Sequence, residues 1–320
     1  MPSTSLPKEK KGKLRPLNVL LDLPKVAKLV DLCFHKNTGD KEKRYLQQTR
    51  ADSPKSRYLS WASNSLPLKG YIWQEQKEIV GNISIIPFRK GKEDVILLAN
   101  IAVHPDYRRM GIARQLTQKG IEYARQRGAT SIWLHAKEDD LGAVKLYKKL
   151  DFHLHSRRTT WVANTKLQAQ KKHPNTIITP RTAHFWEAQN TWLNRSYPAE
   201  ITWYKMPDWQ IFKPGLKYWL YRFFVEGNIR QWAVQKDGEL QAVLTWIGTH
   251  TRRAPLWLAT APQANAESLS DLLLHVRLHL KSRKQVLTID YPAGEFTTAF
   301  EQAGFIARRT LLWMRAKDKE

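Results

Sequence analysis

Residues 100–113 read NIAVHPDYRRMGIA. An apolar run ends at His104-Pro105, and a helical pattern opens near Gly111. Between them stands Arg108-x-x-Gly111-x-Ala113. At such a strand-to-helix turn successive backbone N–H groups point outward, and the helix dipole adds positive potential, so the turn is an anion cradle. Gly111 and Ala113 keep side chains out of the way of a diphosphate, and Arg108, Arg109 and Arg114 add charge at its rim. The spacing alone is common, and the setting makes it informative.

Outward from the turn, strand and helix patterns alternate. Leu14–Leu21 reads as a first strand, followed by a helix with Val26, Leu29, Val30, Cys33 and Phe34 on one face, Asp22 as its cap and Pro24 in its first turn. Tyr71–Gln76, Ile79–Phe88 and Val95–Val103 are strand-like. A helix over Gly111–Arg127 is closed by Gly128, and a short strand follows at Ser131–Ala136. Ala143, Leu146, Tyr147 and Leu150 form a helical stripe capped by Asp139 or Asp140, and Phe152–Val162 returns as a strand.

The turn, together with Leu146-Tyr147-Lys148-Lys149-Leu150-Asp151-Phe152, resembles the GNAT superfamily of N-acetyltransferases. Arg108-x-x-Gly111-x-Ala113 is similar to that family's pyrophosphate signature, and 146–152 to its Leu-Tyr-x-x-x-Gly-Phe signature. The resemblance covers about residues 14–162. It implies a mixed-sheet α/β fold and acyl transfer from acetyl-CoA to an amine, with no metal. On the cofactor side it implies Ile101, Ala102 and Val103 pairing with the pantetheine arm. Arg108, Arg109, Met110, Gly111, Ile112, Ala113 and Arg114 would hold the diphosphate, and Asp140 would meet the cofactor arm. Tyr147 is the implied general acid for the leaving thiolate; the competing reading is an aromatic of the apolar stripe. Asp151 stands where the family usually has glycine, and Asp140 where it often has asparagine. Asp tolerates the left-handed conformation that a helix end needs.

The general base is less legible. Many members carry a carboxylate on the strand before the turn, whereas this strand reads LLANIAV. His135, Glu138 and His104 are nearby candidates, each also readable as a solvated or hydrogen-bonded side chain. Cys33 reads as a core residue rather than a nucleophile.

Residues 1–13 read as a basic disordered arm, 14–163 as the catalytic domain and 164–175 as a linker. The element order then recurs over 176–320, with Phe305 standing to its helix as Phe152 does, an offset of 305 − 152 = 153. The chemistry does not recur. Pro262–Glu267 holds no glycine and no arginine, Glu267 is expected in the anion's place, and Phe300 stands opposite Tyr147. The second half therefore reads as a degenerate copy, a tandem arrangement. Its aromatic cluster (Trp203, Tyr204, Trp209, Phe212, Tyr218, Trp219, Tyr221, Phe223, Phe224) reads as packing, or else as an acceptor wall or stacking platform.

Composition bounds the partners. The net charge is +24, with an excess of 15 over residues 1–160 and 9 over 161–320, so both halves are basic. An acidic protein or RNA surface is the physical expectation. No apolar run reaches the ~18 residues of a membrane span, and one cysteine with no signal core suits a cytoplasmic protein. Two classes of function are thus in view. One is an acetyl-CoA-dependent N-acetyltransferase acting on a protein N-terminus or a small-molecule amine, its motifs being similar to the subfamily that acetylates protein N-termini. The other is a non-catalytic basic protein that docks RNA, ribosome or membrane with a vestigial or regulatory CoA site.

Overall fold

A computed structural model describes residues 12–35, 69–164, 173–204, 206–215, 228–248, 251, 253–283 and 285–317. Most of the expected arm and linker, and Tyr218, Trp219, Tyr221, Phe223 and Phe224 of the aromatic cluster, lie outside the described residues. The chain divides into two compact units, residues 1–155 with 313–320, and residues 156–312.

The first unit contains β1 (Lys13–Pro16), α1 (Val19–His35), β2 (Lys69–Glu75), β3 (Glu78–Lys90) and β4 (Glu93–Val103). Then come α2 (Ile112–Gln126), β5 (Ser131–Lys137) and α3 (Leu141–Lys148). Strands β1 to β4 pair antiparallel in sequence order, and β5 lies parallel to β4. The first helix begins earlier than its sequence pattern suggests. Asn18, not Asp22, is its cap, its Oδ1 accepting from the N–H of Leu20 at 3.1 Å and of Leu21 at 3.2 Å. Asp22 is instead clamped by Arg15 through two hydrogen bonds of 2.7 and 2.8 Å, which hold its carboxyl below the ordinary range. Val26, Leu29 and Val30 pack on Ile72, Ile79 and Ala102.

The second unit repeats the order with β7 (Thr176–Pro180), α4 (Trp186–Ser196), β8 (Ile229–Lys236), β9 (Glu239–Ile247) and β10 (Arg253–Thr260). It continues with α5 (Ala266–His279), β11 (Val286–Pro292) and α6 (Thr297–Gln302). Its core is rich in Trp, Leu and Val from these elements, and Trp209 and Phe212 of the aromatic cluster are part of it. The β8–β9 hairpin turns at Asp237 and Gly238, with φ of 52° and 84°.

The last strands depart from the expected boundaries of 14–163 and 176–320. β6 (Phe152–Ala163) leaves the first unit at Ser156 and pairs antiparallel with β11. β12 (Phe305–Ala316) has its final residues in the first unit, where it lies beside β5. Both strands thus divide: β6 passes to the second unit after His155, and β12 passes to the first at Trp313. Both follow a short helix through a left-handed residue, Asp151 (φ 61°) and Gly304 (φ 73°), and both run 12 residues. Two strands so alike bury similar surface in either place, so local pattern carries no preference between them.

Candidate active site

In the first unit β4 and β5 pair only from Val95–Leu98 with Ser131–Leu134. Beyond Leu98 they part, leaving Ile101, Ala102 and Val103 without β5 partners along one edge. The parting begins at a bulge, where pairing with β3 shifts between Asn82 and Ser84 and Asn100 takes φ 50°.

The Arg108–Ala113 turn follows directly. Pro105–Tyr107 form a single 3₁₀ turn, Arg109 is left-handed at φ 65°, and Gly111 is the left-handed N-cap of α2 at φ 78°. No side chain caps this helix. A Cβ built on Gly111 would meet nothing nearer than Gln115 Nε2 at 4.0 Å, so the cradle is open over its N–H groups. Arg108 Nε donates to the Val103 carbonyl at 3.3 Å, which ties the turn to the open edge.

Tyr147 sits on α3, 6% exposed, with its ring edge-on to Phe152 at 6.3 Å. Burial, with the Asp140 charge adding to it, pushes its phenol well above the ordinary range, so the hydroxyl keeps its proton. Asp140 is the N-cap of α3, its Oδ1 accepting from Ala143 N at 3.0 Å. Asp151 holds the left-handed conformation in the glycine's stead.

Of the base candidates, His135 is the first β5 residue past the last β4–β5 pair, with its ring 4.1 Å from that of Trp313. His104 Nδ1 accepts from Asp106 N at 3.3 Å and so belongs to the turn. Glu138 follows β5 in the connection to α3. Cys33 donates to the Val103 carbonyl at 3.3 Å; burial pushes its thiol up against the opposing Arg108, so it is no thiolate. Sequence reasoning passed over Asn82 and Ser84, both wholly buried on β3 and bonded to the bulge. Their signal was two polar residues inside the apolar strand EIVGNISIIPF.

The second unit offers a contrast at each position. β10 and β11 also pair only at their starts, Arg253–Pro255 with Val286–Thr288. Here the edge beyond is taken: Leu258 N donates to the Tyr197 hydroxyl at 3.4 Å. The Tyr291 hydroxyl bonds Thr260 Oγ1 at 2.9 Å and Ser196 Oγ at 3.1 Å, and Arg195 donates to the Thr260 carbonyl at 2.8 Å. Helix α5 is capped by Asn265, whose Oδ1 accepts from Ser268 N at 3.0 Å. Glu267, expected in the anion's place, instead pairs with Lys236 at 3.2 Å. Phe300 is stacked on Trp161 with centroids 4.8 Å apart, where Tyr147 stands in the first unit.

Residues 30–152 match the acetyltransferase (GNAT) family. This stretch is a GNAT-family acetyltransferase domain. Over 72 residues the chain is 35% identical to the ribosomal protein bS18 alanine N-acetyltransferase of Escherichia coli, which is 22% of this chain and 49% of that protein. Over 66 residues it is 38% identical to the chloroplastic GCN5-related N-acetyltransferase 4 of Arabidopsis thaliana, 21% of this chain and 23% of that one. The chain thus spans about half the length, or less, of these curated relatives. Among solved structures, a GCN5-related N-acetyltransferase from Sphaerobacter thermophilus aligns over 98% of this chain and 99% of its own, with a TM-score of 0.61 and 13% identity. A tandem GNAT protein from the clavulanic acid biosynthesis pathway aligns over 97% and 100%, with a TM-score of 0.50 and 14% identity. At such identities the likeness is one of fold, and the fold is that of tandem GNAT proteins. Among the described residues no helix is long and apolar enough to cross a membrane.

Proposed function

We propose that this chain is an acetyl-CoA-dependent N-acetyltransferase in which the first unit alone carries the chemistry. The observation that carries this reading is the contrast between the two units. The first keeps an uncapped Gly111 turn, a 101–103 edge without β5 partners, its Val103 carbonyl tied by Arg108 and Cys33, and a buried tyrosine; in the second those three places hold an Asn265 cap, the Tyr197 hydroxyl and Phe300. The open cradle suits a diphosphate, with Arg108, Arg109, Met110, Gly111, Ile112, Ala113 and Arg114 around it. Ile101, Ala102 and Val103 supply backbone groups for an amide-bearing arm. Acetyl-CoA brings the thioester. The acceptor nitrogen forms a C–N bond as the C–S bond breaks; Tyr147 gives its proton to the departing sulfur, and the ammonium proton goes to a base. We assign the base to His135, which lies just past the parting of β4 and β5.

The acceptor we favour is a protein N-terminal amine, since the alanine N-acetyltransferases of ribosomal protein bS18 are among the matched relatives. A free small-molecule amine is the second candidate. A basic chain suits an acidic protein or ribosomal RNA surface near such an acceptor. Calorimetric melting with acetyl-CoA tests the first step. A ligand at 100 times its Kd stabilises the native state by about 2.7 kcal/mol, a rise of several degrees in Tm. An unmoved Tm at millimolar acetyl-CoA overturns the reading. A screen of short peptides and free amines, read as released thiol, then chooses the acceptor.

A further inference from the structure

The edge 101–103, which has no β5 partner, is held at both ends by side chains. At its start, β3 and β4 pair Asn82 with Ala102 but Ser84 with Ala99, so two β4 residues face one on β3. A bulge of this kind leaves backbone groups without ladder partners. Asn82 Nδ2 supplies one, donating to the Asn100 carbonyl at 2.9 Å. Asn100 Nδ2 in turn donates to Ser84 Oγ at 3.2 Å, and Asn82 Nδ2 lies 3.4 Å from the same oxygen. Asn82 and Ser84 are both 0% exposed, so on the β3 side these bonds are shielded from water, while Asn100 is half-buried. At the far end the Val103 carbonyl accepts from Arg108 Nε and Cys33 Sγ, each at 3.3 Å.

We propose that Asn82 is a positioning residue for acetyl-CoA, keeping the 101–103 edge in its parted course before the ligand arrives. This rests on the acetyl-CoA reading above. Asn100 sits in the left-handed region, which asparagine tolerates but does not prefer, so the bulge needs an outside tie. Without the Asn82 donor, the half-buried Asn100 carbonyl is relieved most cheaply by moving the strand toward regular β3 pairing. A one-residue slip turns every following residue to the opposite face, which would carry 101–103 away from the course a ligand arm must meet. With the clamp in place the edge is ordered beforehand, and binding loses no affinity to arranging it.

The test is acetyl-CoA affinity by titration calorimetry on the full chain, well below each variant's Tm. Asn82→Leu, close in size and without a donor, should weaken Kd about tenfold or more. Ser84→Ala, which removes the acceptor of the Asn100 amide and the longer contact from Asn82 but leaves the Asn82–Asn100 bond, should weaken it by about two- to fivefold. Hydrogen exchange should quicken at the amides of Ile101–Val103 in Asn82→Leu and hold steady in β2. Should Asn82→Leu fail to fold, Asn82→Asp, which keeps the shape and replaces the donor with a carboxylate, carries the same expectation. A wild-type chain that does not bind acetyl-CoA overturns the cofactor reading itself. A wild-type chain that binds, beside a folded Asn82 variant with unchanged Kd and unchanged exchange at 101–103, overturns the clamp alone.

Discussion

At the scale of single residues, Tyr147 joins a sequence signature to an electrostatic reason. Burial disfavours its phenolate, so the group stays a proton donor throughout the neutral range. Tyr147→Phe keeps the ring against Phe152 and deletes the hydroxyl proposed as the acid. We expect turnover to fall by about 10²- to 10⁴-fold, with acetyl-CoA affinity near wild type, measured by released thiol and by calorimetry. The same physics bears on stability. Tyr147, Tyr197, Tyr204 and Tyr291 all have phenols raised by burial. A group whose folded pKa lies above its unfolded value contributes fully below the unfolded pKa and is lost as pH rises through the folded one. The Tm should therefore hold up to about pH 10 and fall steeply above it, which a pH series of thermal melts checks. Tyr147 and the arginines of the turn are singled out in the sequence by a local spacing, and their roles are those proposed above. Asn82 was not, because its meaning comes from a carbonyl 18 positions away.

At the scale of elements, the strand-to-helix turn and the first helix show what spacing does and does not tell. The helix that Gly111 opens begins where the pattern puts it, since a left-handed glycine and an apolar stripe are both local signals. Gly111→Ala should therefore separate stability from binding. Its Cβ meets open space, so the cost to the fold is the left-handed penalty of about 1–2 kcal/mol, read by denaturant unfolding. Acetyl-CoA affinity should fall further than that strain accounts for, because the methyl stands over the cradle. A loss of affinity no larger than the loss of stability would mean that the turn holds no anion. The helix after β1 was misplaced because Asn18 and Asp22 are both good caps by type. The competition is settled by Arg15, which lies on the preceding strand and takes the Asp22 carboxylate. Asp22→Asn should lower Tm at neutral pH. Because Asp22's pKa is depressed in the fold, that difference should shrink as pH falls through its folded value, below about pH 4.

At the scale of the whole molecule, the charge and the tandem architecture were readable from composition and recurrence, and the ownership of the last strands was not. The first unit counts residues 313–320 among its own and the second counts 156–163, so neither half of the chain, cut in sequence order, is a complete unit. Trp313 is 2% exposed, and Lys317 N donates to the Asp151 carbonyl at 2.9 Å. A chain ending at residue 164 would keep every signature residue of the acetyltransferase domain and lose both contacts, along with the strand beside β5. That strand's place would then be an open sheet edge next to the parting of β4 and β5, with its backbone donors and acceptors exposed. Among the described residues the fragment's own β6, freed from β11, is a strand at hand to cover it, in the same copy or in a second. We expect residues 1–164 to yield dimers or aggregates rather than a cooperative monomer, read by sedimentation and thermal melting. Trp313→Ala in the full chain is the milder form of the same lesion and should cost about 3–5 kcal/mol of stability. A monomeric 1–164 fragment that melts cooperatively and binds acetyl-CoA as the full chain does would show that β6 takes the place of β12 at no cost. The second unit's role in the catalytic fold would then reduce to an attachment.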